Sequence, residues 1–187
     1  SAVGCLVGSA LSGAAWMAVP IYAPSFFRQR FLVSTGSASI LVLVAAVCYT
    51  CGSLTGGRLV KRFGRKPLTV LGALGAGIFT ILYTNLFDLW SSVGVVFLAC
   101  LLAGIRLSAS TGLILEQVPT FRGTMMSVRH ATVALADALG SGIGGLVLLQ
   151  FGYGGMAAVL GALGIAAAAV FQLLAIDATK TGMESGS

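Results

Sequence analysis

Apolar residues in this chain come in long unbroken stretches, with polar residues clustered between them. From Phe31 to Gly57 and from Pro67 to Phe87 there is no charged side chain. At 1.5 Å per residue, each stretch is long enough to cross a hydrocarbon core of about 30 Å. The same pattern predicts six spans, at about 1–24, 37–59, 67–87, 91–115, 124–149 and 156–176, and a polar tail at 177–187. The last two spans are separated at Phe151 to Gly155, because the uncharged run from Asp137 to Asp177 is too long for a single crossing. The expected fold is an all-α integral membrane bundle of six transmembrane helices.

Within the first span, Pro20 is expected to kink the helix or end its regular hydrogen bonding, since proline has no N–H to donate. Tyr22, Phe26 and Phe27 read as an interfacial aromatic belt, and Arg28 and Arg30 as the loop beyond it. The third span ends at an outer turn with Asp88 and Trp90.

Composition strengthens the membrane reading. Of the 187 residues 57% are hydrophobic and 9% charged, where a soluble domain carries about 25% charged. The net charge of +6 does not indicate nucleic acid, because the basic residues concentrate in one inter-helix stretch with no aromatic platform beside them. That stretch is Gly57 to Pro67, GRLVKRFGRKP, which holds five of the chain's eleven Lys and Arg. Basic residues favour the cytoplasmic side, so it is expected inside. Arg122 and Lys180 fall on the same side, giving seven inside against Arg28 and Arg30 outside. Both chain ends are then cytoplasmic, and the expected location is the cell membrane.

Cys48 and Cys51 spell C-x-x-C, but no second pair or nearby acidic or His ligand accompanies them. Cys5 and Cys100 also lie in apolar runs, so all four read as packing residues, with no metal and no cofactor expected. Ser1 opens directly into apolar sequence with no charged lead, and the chain is expected to be a piece of a longer protein.

The basic stretch resembles the signature of the major facilitator superfamily, G-x-L-x-D-R-x-G-R-[KR]. Gly57, Leu59, Arg62, Gly64, Arg65 and Lys66 match it, while Lys61 stands where the pattern has Asp. A second stretch, EQVPTFRG from Glu116 to Gly123, resembles the family's E-x-x-P pattern followed by R-G, through Glu116, Pro119, Arg122 and Gly123. The two fall between the second and third spans and between the fourth and fifth. The resemblance implies the C-terminal half of such a transporter, helices 7 to 12 of twelve, and the lost acidic position agrees with a second half. The tail is faintly similar to the P-E-T-K-G tail of the sugar-porter branch through Thr179 and Lys180, too weakly to choose a subfamily.

Glycines are spaced for helix contact: Gly4 with Gly8, Gly52 with Gly56 and Gly140 with Gly144 each form G-x-x-x-G, which lets backbones approach where lipid gives no hydrophobic drive. The family resemblance adds that the fifth helix of a half faces the other half.

Charges inside a span cost about 2.5 to 3.5 kcal/mol each at its centre, which makes them candidates for function. Arg106 lies roughly 19 Å above Pro119, and Asp137 roughly 22 Å above Arg122, so both are expected near the midplane. Consecutive helices are usually neighbours, so an Arg106 to Asp137 ion pair or shared wet site is expected. Three alternatives stay open: a structural salt bridge, a substrate site in which Arg106 holds an anionic or polar group, or a proton-coupling carboxylate at Asp137. The resemblance favours substrate binding by Arg106, since the fourth helix of a half lines the family's central cavity. His130, seven residues before Asp137, shares roughly its face and is a weaker candidate for a proton relay. Arg129 is expected to snorkel to the inner surface. At that surface, Glu116, Arg122, Arg62 and Arg65 form a second constellation, which the resemblance reads as a gate and the charges alone read as exposed loop pairs.

By resemblance, the function is secondary active transport of a small solute by alternating access, coupled to an ion such as H+. The partners implied are the lipid bilayer and an N-terminal six-helix half or a second copy. Neither a nucleotide-binding P-loop nor a nucleophile–base arrangement is present in the sequence, so neither an ATP-driven pump nor an enzyme is expected. The alternative is a non-transporting six-helix scaffold or solute sensor.

Overall fold

The computed structural model describes residues 2–117 and 119–174, and the regular structure in them is helical. The expected tail at 177–187 and the end of the expected sixth span lie outside the described residues. Among the described residues, five stretches are long and apolar enough to cross a membrane: Val3–Phe31, Thr35–Phe63, Arg65–Asn85, Leu89–Glu116 and Arg122–Leu174.

The first stretch is compound. Helix α1 covers Ala2–Trp16, a single π-helical turn follows at Ala18–Tyr22, and α2 continues over Ala23–Phe31. Pro20 sits in that turn: it removes one hydrogen bond and crowds the preceding turn, and the chain widens locally instead of stopping. Pro24 falls in the first turn of α2, where a missing N–H costs nothing. The helix therefore runs on to Phe31 and carries Arg28 and Arg30 in its last turn. The aromatic belt expected just before them is instead core. Tyr22, Phe26 and Phe27 are buried, and the Phe26 ring meets Tyr83 and Tyr153 edge-on at 5.4 and 5.3 Å. Continuing the helix past Pro24 rotates these rings into the bundle.

Ser34 caps α3 (Thr35–Phe63), its Oγ accepting the Ser37 N–H at 3.2 Å. One residue, Gly64, separates α3 from α4 (Arg65–Asn85). Its φ of 87° is strained for any residue with a Cβ, and its N–H closes α3 on the Val60 carbonyl at 2.9 Å. The basic stretch is thus not an open loop. Lys61 and Arg62 end α3, where its dipole favours cations, whereas Arg65 and Lys66 open α4, where the dipole disfavours them.

Asp88 caps α5 (Leu89–Gln117), with Ser91 donating its N–H at 3.0 Å and its hydroxyl at 3.1 Å to Oδ2. The Ser91 backbone bond, followed by the hydroxyl bond, holds the Asp88 carboxyl below its ordinary pKa. After a 3₁₀ turn at Pro119–Phe121 comes α6, Arg122–Leu174, broken at Gly152 with φ 69° and ψ −171°. Both of its arms, 122–151 and 153–174, run beside α1. A side chain at Gly140 would strike Ala14, and one at Gly164 would strike Gly77 and touch Ala15. Tyr22 spans the two arms near the break: it packs with Met156 and Leu160, and its hydroxyl donates to the Ser141 carbonyl.

Helix α1 packs along α6, α4 lies against both α5 and α6, and α3 rests chiefly on α5. Consecutive α5 and α6 hardly touch, because α1 and α4 come between them. The expectation that a short connection makes them neighbours fails here. The outward face of α3 leaves Ile40, Leu43, Val47 and Leu54 exposed.

Candidate functional site

The four ionisable residues expected inside spans separate into three that meet and one that does not. Arg106, Arg129 and Asp137 line one cavity of ≈ 210 Å³, together with Ser9, Gly13, Trp16 and Tyr49. His130 is exposed one position along the helix from buried Arg129. At 3.6 residues per turn it lies about 80° from the Gly140 face that packs on α1, and Arg129 lies only about 20° from it. The expectation that Arg129 snorkels away is reversed, because the glycine-marked face carries it under α1.

Arg106 and Asp137 share the cavity without forming the expected ion pair. Arg106 is 6% exposed, and its Nη1 donates to Ser12 Oγ on α1. Ser12 in turn donates to the Ser9 carbonyl at 3.0 Å. Asp137 lies against α1 at Gly13, where a Cβ would come within 2.6 Å of Oδ1. With α1 set between α5 and α6, the guanidinium finds a hydroxyl on α1 before it can reach the carboxylate. Neither Ser12 nor Gly13 carries a charge, so sequence reasoning had no reason to single them out.

Among the described residues, three polar atoms on the wall or just behind it are buried without a partner: Ser9 Oγ, Arg129 Nε and Asp137 Oδ1. Each such group costs about 1 to 3 kcal/mol until something hydrogen-bonds to it. With Asp137 ionised, the two arginines leave the cavity at a formal charge of +1. It can therefore hold a small hydrogen-bonding solute or waters, and it can exchange a proton at Asp137.

At the basic end of the bundle a second cluster forms differently. Arg65 Nη1 pairs with Glu116 Oε1 at 3.1 Å, both side chains partly exposed. The guanidinium lies across Gly112 of α5, where a Cβ would meet Nη1 at 2.6 Å. Arg62 stands over the Phe63 ring at 5.4 Å, and Arg122 is exposed at the start of α6. Lys66 is half-buried, and Gly57 is exposed with open space around it. So of the expected inner constellation, Arg65 and Glu116 are brought together, and Arg62 and Arg122 stand apart. Among the described residues, no group of His, Cys, Asp and Glu is arranged to hold a metal ion, and the four cysteines are unbridged.

Long apolar helices enclosing a small charged cavity define a multi-pass integral membrane protein with an internal polar site. The sequence matches the Major Facilitator Superfamily over residues 5–185, and the chain belongs to that family. It is a transporter-family chain and not an enzyme. A relative from Planococcus maritimus, a Na(+), Li(+), K(+)/H(+) antiporter, is 28% identical over 142 residues, which is 73% of this chain and 33% of the relative. The chain thus spans about a third of that relative's length.

Proposed function

We propose that this chain is a six-span half of a proton-linked secondary transporter, corresponding to helices 7 to 12 of twelve. The two arms of α6 are then its fifth and sixth spans, with the reversal at Gly152. It rocks against an N-terminal half, or against a second copy, with the basic end and both chain ends in the cytoplasm of the cell. The observation that carries this reading is the buried, unpartnered Asp137 oxygen facing a cavity that two guanidiniums also enter.

Asp137 is the proton-exchanging group. Ionised, it offsets one of the two arginines; protonated, it leaves both charges to attract a solute. The half-exposed Arg65–Glu116 pair ties the start of α4 to the end of α5 on the cytoplasmic side, and opens when those ends separate. The antiporter relative supports proton exchange, and it favours alkali cations as a second reading. The net positive cavity favours an anionic or neutral solute over a bare cation.

The test is flux in proteoliposomes holding the full-length protein, with and without an imposed pH gradient. Asp137→Asn is expected to abolish gradient-driven flux, by about 100-fold or more, and to leave solute exchange without a gradient. Gradient-driven flux that survives in Asp137→Asn removes Asp137 from the mechanism. No flux of any kind from well-folded protein supports a scaffold or solute sensor instead. Alkali-cation flux coupled to protons in the same vesicles decides for the second reading.

A further inference from the structure

The charged cavity has a neighbour. On the side away from the basic end lies a chamber, also of ≈ 210 Å³, walled by Pro20, Phe27, Ala46, Val96 and their apolar neighbours. Trp16 and Tyr49 border both spaces. Their rings are stacked, with centroids 5.0 Å apart and planes at 25°. One space is therefore lined almost wholly by hydrocarbon and aromatic surface, the other by two guanidiniums and a carboxyl, and two ring side chains stand at the boundary.

An apolar cavity gains by filling, because its walls lack contact partners on one side. The upper space opens outward past Pro20 and Ala46, which are exposed, and at ≈ 210 Å³ it has room for a ring the size of benzene or slightly larger. Below the boundary, Arg129 Nε has no acceptor, and Arg106 spends one nitrogen on Ser12. We propose that the chamber and the charged cavity are two subsites for one solute: a compact ring-bearing carboxylate. Its ring rests against Trp16 and Tyr49 in the chamber, and its carboxylate turns down to Arg129 and Arg106. Protonating Asp137 raises the formal charge of the lower space from +1 to +2, so proton and anion load together. No covalent chemistry is involved. The proposal rests on the reading of Asp137 as the proton group only for this coupling, and the two-part site rests on Trp16 and Tyr49 bordering both spaces.

Binding of radiolabelled benzoate to the purified full-length protein tests it, with acetate and benzyl alcohol as competitors. Benzoate is expected to bind at least about tenfold more tightly than acetate, which lacks the ring, and than benzyl alcohol, which lacks the charge. Ala46→Leu, which fills the chamber, should weaken benzoate about fivefold or more without changing the weak competition by acetate. Arg129→Gln should remove the advantage of benzoate over benzyl alcohol. Equal affinity for benzoate and acetate in the unaltered protein eliminates the chamber, and equal affinity for benzoate and benzyl alcohol eliminates the charged subsite. If benzoate binds as expected but no pH gradient drives its flux, the proton role of Asp137 fails and the two-part site stands. Gradient-driven flux with no preference for a ring is the opposite failure.

Discussion

Among the helix contacts built on glycine, two use it for different ends. Where α3 crosses α5, Gly52 lies against the Leu101 carbonyl and Gly104 against the Tyr49 carbonyl, so backbone meets backbone. Where α1 meets α6, Gly140 takes the backbone of Ala14 in the same way, but the adjacent Gly13 makes room for the carboxylate of Asp137, about one turn before Gly140 on α6. Close backbone approach supplies the dispersion contact that holds helices together in lipid, where apolar burial supplies none. Leaving out a methyl beside a charge instead creates a place for that charge to move. The first kind of glycine is structural, and the second belongs to the site.

The sharpest way to break this contrast is to add a side chain at each kind of position. Gly104→Val places a Cβ against the Tyr49 carbonyl and within 2.8 Å of the Ser53 amide, neither of which can yield. Overpacking costs about 1 to 3 kcal/mol where side chains adjust, so this change is expected at about 3 kcal/mol or more. It should appear as a large fall in the detergent melting temperature and a loss of monodisperse protein. A normal melt would show that α3 is free to move off α5.

Gly13→Ala is expected to be milder for the fold and harsher for transport. The new methyl would sit 2.6 Å from Asp137 Oδ1 and 3.2 Å from Val133 Cγ1, so the carboxylate has to swing away. A cost of about 1 to 2 kcal/mol in stability is expected, with gradient-driven flux down about tenfold. Unchanged flux would mean that the carboxylate's position against α1 is unimportant.

The helical class and the family were legible because both are carried by contiguous sequence: apolar runs long enough to cross a bilayer, and two short motifs in order. The spacing of Gly52 with Gly56 and of Gly140 with Gly144 likewise marked faces that are buried. What was not legible depended on which helix lies beside which. Gly13, Gly104 and Gly112 belong to no G-x-x-x-G pair, and each takes its meaning from an atom on another helix. Arg106 and Asp137 do share one cavity, but the ion pair between them is absent for the same reason, since depth along two helices says nothing about a third between them. Arg129 could have been placed: it lies eleven residues, three full turns, before Gly140, and so shares the buried face. The burial of Tyr22, Phe26 and Phe27 is not legible in the sequence, because it depends on Pro20 widening the helix for one turn and letting it continue.

Gly112 tests the second kind of glycine outside the cavity. A methyl there meets the Arg65 guanidinium at 2.6 Å from Nη1 and 2.8 Å from Cζ, and the flexible side chain can slide away from Glu116. Because the Arg65–Glu116 pair is partly exposed and screened, Gly112→Ala is expected to cost about 0 to 1 kcal/mol. In a Glu116→Gln background it should cost nothing further, a non-additivity that a double-mutant cycle reads directly. Additive costs would show that Gly112 packs the helix and does not seat the arginine.

The smallest effect is expected furthest from both contacts, at the exposed turn where Asp88 caps α5. Its carboxyl is held below the ordinary value by the Ser91 backbone bond and then by the Ser91 hydroxyl. A carboxyl with a depressed folded pKa stabilises the fold above its unfolded value of about 3.9, and that contribution is lost as pH falls through the folded value. Asp88→Ala should therefore melt slightly below the unaltered protein at pH 7. The gap should narrow below about pH 4 and close under more acid conditions, once the carboxyl is protonated in both states. A gap that stays constant down to pH 2 would assign the difference to the carboxyl as an uncharged acceptor at the cap and not to its charge, and would leave the α4–α5 turn without an electrostatic contribution.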